Sequence, residues 1–352
     1  MPGRKFSRTV FLLVSFALIL SLSSCNREPS KAETQIFAMD TVMTLTLYGP
    51  DRQTDLSSAL DELVNTIYTL QNLLSATDPN SELYALNHAG GQSVALSLET
   101  TDLLSQAIDL CRLTDGALDL TAYPAVQAWG FPSGEYRVPG EEELAQLASK
   151  IDYTQLQVDT EKCSAQLPQG MEADAGAVAK GYAGDLLAQQ LAQKNISSAL
   201  LDLGQSTIQA VGNKPDGSPW RIGVQDPAGD SYLGVIELSG QAMGTSGGYQ
   251  RFFEKDGVRY WHILNPNTAA PARSGVSSVT VVGPSALVCD GLSTALFVLG
   301  VEDGLAFWRN HPELNTEVLF VLEDGSLVLT PGLNDQFTLS DSEKGREVTV
   351  AS

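Results

Sequence analysis

Asp174-Ala175-Gly176-Ala177-Val178-Ala179-Lys180-Gly181-Tyr182 is a small-residue loop running into a helix, and what surrounds it decides the fold class. The helix is expected over 178–194, and strands follow at 198–203, 207–211, 220–224, 234–238, 258–264 and 276–282. Upstream, residues 34–48 read as one strand, with Met43, Leu45 and Leu47 on one face and Thr44, Thr46 and Tyr48 on the other. Leu56, Leu60, Leu63, Ile67, Leu70 and Leu74 recur at helical steps and give a long amphipathic helix. Further helices are expected at 102–113 and from Glu141, and a hairpin at 152–167. Two helices (286–299 and 303–308) and two strands (318–322 and 327–330) complete the pattern. This is an α+β mixture with no regular βαβ alternation, no internal repeat and no linker inside 34–340. It predicts a single two-lobed domain of mixed or antiparallel sheets flanked by helices, with a polar tail at 341–352.

The chain has 352 residues, 42 acidic against 21 basic, and a formal net charge of −21. Such a polyanion repels nucleic acid, and no basic patch offsets it, so nucleic acid is excluded as a partner. Residues 1–24 read as an export signal: Arg4, Lys5 and Arg8 precede an apolar run from Val10 to Leu22 that is short for a membrane span. The run ends in Leu22-Ser23-Ser24-Cys25, which looks like a bacterial lipobox, in which the cysteine is lipidated and becomes the new N-terminus. A plain signal peptide or a short anchor are the alternatives. The lipobox reading makes residues 25–33 a tether and puts the protein at the cell membrane, lipid-anchored on its extracytoplasmic face. Cys111, Cys163 and Cys289 form no disulfide framework or zinc pattern, and the three histidines are His88, His262 and His311. Any metal is therefore expected to be a hard cation held by oxygen.

Three segments carry chemistry. At the start of the helix expected at 286–299, Asp290, Ser293 and Thr294 share one face and can aim three oxygens at a single point, a donor set that suits Mg²⁺. Helix capping by Asp290 is the alternative. The opening loop offers free N–H groups and Lys180 to an anion, although it has neither the P-loop nor the dinucleotide-fold glycine spacing. Close packing of small residues would explain the same pattern. In the third, Gly244-Thr245-Ser246-Gly247-Gly248-Tyr249 precedes His262-Ile263-Leu264-Asn265-Pro266, a polar turn before a histidine that is either catalytic or structural.

Together, in this order and behind the lipobox, these segments resemble the ApbE family of FAD:protein FMN transferases over residues 36–332. Met39-Asp40-Thr41 is similar to the family's M-G-T. The stretch from Leu74 to Leu83, ending at Asn87, is similar to S-x-[YW]-x-x-x-S-E-[LI]…N, and Asp115 to Asp119 with Trp129-Gly130-Phe131 to G-A-F-D…W-G-F. Asp174 to Asp185 follows D-x-G-x-x-A-K-G-Y-x-x-D, Thr245-Ser246-Gly247 follows T-S-G, His262-Ile263 opens H-I-x-D-P-x-T-G, and Asp290 to Thr294 fits D-[AG]-x-x-T.

The resemblance implies an enzyme that binds FAD with Mg²⁺, transfers FMN to a Thr or Ser hydroxyl of an acceptor protein and releases AMP. By position, Met39, Ala117, Leu118, Asp119, Asp174, Lys180 and Leu264 would contact FAD. The Ala177 carbonyl, Asp290 and Thr294 would hold the metal, with Ser293 nearby. His262, with an ordinary pKa of roughly 6.5, is the candidate general base. Departures from the pattern are Asp40, Gln205 and Ala269 for Gly, Thr77 for an aromatic residue, Ser206 for Asn, Gly248 for a polar residue and Asn265 for Asp. A pyrophosphatase splitting FAD into FMN and AMP, or a non-catalytic flavin-binding lipoprotein, are the other function classes, and the metal face favours an enzyme.

Overall fold

In the computed structural model, which describes residues 30–49 and 54–352, the first expected strand is a hairpin. Met39 and Asp40 take positive φ angles of 48° and 61°, the backbone pair of a tight two-residue turn. Strand β1 (Ser30–Ala38) therefore folds back antiparallel on β2 (Thr41–Gly49), from Ser30 opposite Gly49 to Ala38 opposite Thr41. Two readings are corrected. The strand at 34–48 is two strands, because the turn contains no glycine to mark it, and Ser30 to Glu33 belong to β1 instead of a tether. The export signal, Cys25 and residues 26–29 lie outside the described residues.

Seven more strands extend this hairpin into a nine-stranded sheet: β3 (Ser198–Asp202), β4 (Thr207–Val211), β5 (Ala242–Gly247), β6 (Val276–Gly283), β7 (Glu317–Leu322), β8 (Leu327–Leu329) and β9 (Val348–Val350). Their spatial order is their chain order. Every neighbouring pair is antiparallel except β8 and β9, which are parallel. The α+β class is thus the observed one.

Helices α1 (Leu56–Leu74), α2 (Leu98–Leu113), α3 (Ala179–Gln193) and α4 (Ala286–Asn310) build the main core on one face of the sheet. The α1 stripe of Leu56, Ala59, Leu60, Leu63, Ile67, Leu70 and Leu74 is buried, as its spacing predicts, and each such leucine contributes roughly 1.5–3 kcal/mol. α2 begins before its expected start because the Ser97 hydroxyl accepts from the Thr100 N–H and caps it. In α4, Gly300 adopts φ 77° and ψ −171°, so the two expected helices are one element broken at that glycine.

The other face is covered by a three-stranded sheet of Trp220–Gln225, Tyr232–Leu238 and Phe337–Leu339, closing a second core around Trp220, Ile236, Met243 and Leu319. Trp129, Phe131 and Phe253 form a third, aromatic cluster. Among the described residues no helix is long and apolar enough to cross a membrane.

The expected polar tail is also corrected. Residues 348–350 pair with β8, and Arg346 donates to Asp226 at 2.7 Å, to Glu343 at 2.7 Å and to the Gly325 carbonyl at 2.8 Å. The tail thus fastens the edge of the large sheet to the loop inside the three-stranded one. Arg346→Ala leaves the buried Asp226 carboxylate without its cation, and should lower stability by about 3 kcal/mol, read as a shift of the urea midpoint at constant m.

Candidate active site

The site begins where α3 crosses α4. A Cβ at Gly181 would stand 2.3 Å from the Ala286 carbonyl oxygen, so only glycine allows this approach. One turn further on, the Asp185 carboxylate accepts from the Ser285 hydroxyl (2.6 Å), the Ala286 N–H (2.7 Å) and the Leu287 N–H (3.1 Å), satisfying the first free donors of α4.

Asp290, on the next turn of α4, is buried, and its carboxylate is held from two elements. Oδ2 accepts the Gly181 N–H at 3.0 Å and Oδ1 accepts the Thr207 hydroxyl of β4 at 2.9 Å, while Lys180 Nζ lies 3.8 Å from Oδ2. Burial raises the Asp290 pKa, and Lys180, Thr207 and the Gly181 N–H oppose it. Because Gly181 donates to Asp290, no described backbone N–H donates to the Ala177 carbonyl.

Thr294 Oγ1 lies 3.0 Å from the Ser246 hydroxyl of β5. Ser293 is a correction to the expected metal face: it is fully buried behind the cavity wall, where its hydroxyl donates to the Asp290 carbonyl (2.8 Å) and meets Ser246 (2.8 Å). The turn from Asp290 to Ser293 points that side chain into the core between α4 and β5.

Met39, Ala117, Leu118, Asp119, Asp174, Ala177, Lys180, His262, Leu264, Asp290 and Thr294 all line one cavity of about 1800 Å³. Drug-sized pockets span about 300–1,000 Å³, so this one has room for a dinucleotide and part of a second reactant. The Met39 N–H donates to Gln71 Oε1 at 2.7 Å, which fixes the hairpin turn at the rim. Asp119 works as a local cap, Oδ1 accepting from the N–H and hydroxyl of Thr121 and Oδ2 from the Tyr153 N–H. Asp174 accepts the Gly176 N–H at 3.0 Å; burial raises its pKa, against the pull of that N–H, Arg251 and Lys180.

His262 interrupts the strand expected at 258–264, which is observed as Val258–Trp261 and then Leu264–Asn265. Its Nδ1 lies 3.2 Å from the Arg251 carbonyl. A carbonyl can only accept, so Nδ1 carries the proton and Nε2 keeps the lone pair. Burial, then the positive charges of Arg251 and Lys180, push its pKa down to about 4, in place of the ordinary value expected from the sequence.

Among the described residues no three His, Cys, Asp or Glu side chains gather to hold a metal ion. A cation at this site would rest on the Asp290 carboxylate and neutral oxygens, which fits Mg²⁺ better than a transition metal. The sequence reading gave no site role to Thr207, Ser246, Asp185 or Arg251. Thr207 lies on a strand far from Asp290 in the chain, with no local signal, whereas Ser246 and Asp185 stood inside quoted motifs.

The model of the ApbE family matches residues 39–320. The chain is 33% identical over 300 residues to a Vibrio cholerae FAD:protein FMN transferase, covering 84% of this chain and 89% of that one. It is 31% identical over 351 residues to the Treponema pallidum protein of the same name, covering 94% and 95%. Among solved structures, the ApbE protein of Thermotoga maritima superposes with a TM-score of 0.79 at 30% identity, over 90% of this chain and 99% of that one. The flavin transferase ApbE of Vibrio cholerae gives 0.75 at 28% identity, over 90% and 99%.

In a proton NMR titration of the ligand-free protein, the His262 imidazole should stay neutral until the pH approaches about 4. The unfolded chain takes up this proton near pH 6.5, at roughly the ordinary value, so the His262 contribution to stability is full above that pH and is lost as pH falls towards about 4. A midpoint near the ordinary value would mean that the ring is solvated and away from Arg251 and Lys180.

Proposed function

The chain belongs to the ApbE family, and on that premise we propose that it is a Mg²⁺-dependent FAD:protein FMN transferase. It takes FMN from FAD to a Thr or Ser hydroxyl of an acceptor protein and releases AMP. The observation that carries the reading is the convergence of Ala177, Lys180, His262, Asp290 and Thr294 on one cavity.

The acceptor oxygen attacks the phosphorus on the FMN side of the pyrophosphate. The bond from that phosphorus to the bridging oxygen breaks, and the oxygen leaves with AMP. The hydroxyl proton passes to His262 Nε2, the nitrogen left free by the bond from Nδ1 to Arg251. Lys180, beside Asp290 on the cavity wall, supplies positive charge to the phosphates. Mg²⁺ held by the Ala177 carbonyl, Asp290 and Thr294 would offset charge on the pyrophosphate and on the departing phosphate. The Gly181 N–H and Thr207 hydroxyl keep the Asp290 carboxylate in one orientation for that role.

Incubation with FAD, Mg²⁺ and an acceptor protein should add one FMN to the acceptor by intact mass and release AMP in equal amount. Asp290→Ala should abolish turnover, and undiminished AMP release in excess EDTA would sink the metal assignment. His262→Asn should slow transfer by roughly 10²–10⁴-fold while FAD binding persists. AMP released at the same rate without acceptor, leaving the acceptor mass unchanged, would replace transfer with hydrolysis.

The same proposal includes a lipid on Cys25 that holds the enzyme at the membrane, on its extracytoplasmic face, supported by the small residues Ser23 and Ser24 after the apolar run. Cys25→Ser should leave an unlipidated precursor or a released protein. Membrane partition equal to wild type would make the segment a retained helix.

A further inference from the structure

We propose that Ser246 is a positioning residue for the cation site: with Ser293 it makes a one-way hydroxyl chain that leaves the Thr294 oxygen purely an acceptor towards the cavity. The inference rests on the magnesium reading above, in which Thr294 is a ligand.

The direction of the chain follows from counting protons. Each hydroxyl has one proton and two lone pairs. Ser293 Oγ lies 2.8 Å from the Asp290 carbonyl, which can only accept, so the Ser293 proton is committed there. In the 2.8 Å contact between Ser246 and Ser293, Ser246 must then be the donor. In the 3.0 Å contact between Ser246 and Thr294, Ser246 has no proton left, so Thr294 donates. Among the described residues Ser246 is the hydrogen-bond partner of Thr294 Oγ1, so the Thr294 proton is directed at Ser246, its neighbour on the cavity wall, and not at a group bound by the remaining lone pairs.

A hard cation needs lone pairs without a competing proton, and this arrangement supplies them before the cation arrives. Ser293, which fixes the direction of the chain, is completely buried and off the cavity lining, so solvent is poorly placed to take its proton from the Asp290 carbonyl. The chain ends on the backbone of Asp290, the residue whose side chain is the charged ligand.

The test uses Mn²⁺ as a paramagnetic probe, titrated by EPR into protein loaded with FAD, and FAD affinity measured separately without metal. Ser246→Ala leaves the Thr294 proton without an acceptor and should weaken Mn²⁺ binding by roughly 10-fold or more, with metal-free FAD affinity unchanged. Ser293→Ala frees the Ser246 proton to turn towards Thr294 and should weaken it in the same direction. If Ser246→Ala does not fold, Ser293→Ala carries the test. Wild-type Mn²⁺ affinity in a folded variant overturns the positioning role, even if its melting temperature falls. Failure of the wild-type protein to bind Mn²⁺ overturns the magnesium reading, and this inference with it.

Discussion

The site depends on a steric constraint: α3 and α4 cross so closely at Gly181 that no side chain fits between them. That contact lets the Gly181 N–H reach the Asp290 carboxylate instead of closing the first turn of its own helix. Four residues on, Asp185 grips the N-terminus of α4. The spacing of the opening motif is thereby accounted for. Asp174 sits in the loop, Ala177 presents a carbonyl without a backbone donor, Lys180 and Gly181 meet Asp290, and Asp185 holds the partner helix in register. α4 in turn carries Asp290 and Thr294 on one cavity-facing stripe.

The cavity is lined by both signs of charge, with Asp40, Asp119, Asp174 and Asp290 beside Lys180 and Arg251. At −21 the protein repels anions at long range, and in the proposed reaction the phosphates would have to meet Lys180 and Arg251 rather than the carboxylates of the same lining. Charges beyond about 8 Å are largely screened at physiological salt, so the groups lining the cavity outweigh the rest of the chain. The same two cations depress His262. An anion bound beside them would offset their field at the imidazole and raise the ring's affinity for a proton. In the proposed reaction, phosphate binding and basicity at Nε2 would thus be linked through Lys180 and Arg251.

The features legible in the sequence were those with a local signature. The stripe of α1, the loop into α3, the break near residue 300 and the α+β class follow from periodicity and from glycine placement. Most proposed site residues share one wall because quoted motifs fall at the ends of elements that converge there. Long-range partners carried no such signal. Nothing near Thr207 marks its bond to Asp290, and nothing in 341–352 marks the pairing of β9 with β8 or the grip of Arg346 on Asp226. The depression of His262 is likewise a property of its neighbours in space. Ser293 and Thr294 are about 100° apart round the helix, so the spacing alone does not tell which of the two meets the cavity and which the core behind it.

Three departures from the family pattern share one physical feature. Asp40, Gln205 and Ala269 each stand where the pattern has glycine, and each has positive φ: 61°, 65° and 54°. The left-handed backbone costs a side-chain-bearing residue about 1–2 kcal/mol, so the turns survive only because neighbours hold them. The Gln205 N–H is held by Asp202 at 2.6 Å. At Ala269, the N–H is bound by the Asn265 carbonyl at 2.9 Å and the carbonyl accepts from Trp129 Nε1 at 2.8 Å. Met39, beside Asp40, is tied to Gln71. The turns therefore keep the glycine-type backbone with other residues in place. What changes is the lining: Asp40 and Gln205 face the cavity and add a carboxylate and an amide where glycine has only backbone. These positions consequently bear on what the cavity accepts beside the phosphates, while the geometry around Asp290 is set elsewhere, by Gly181 and Thr207.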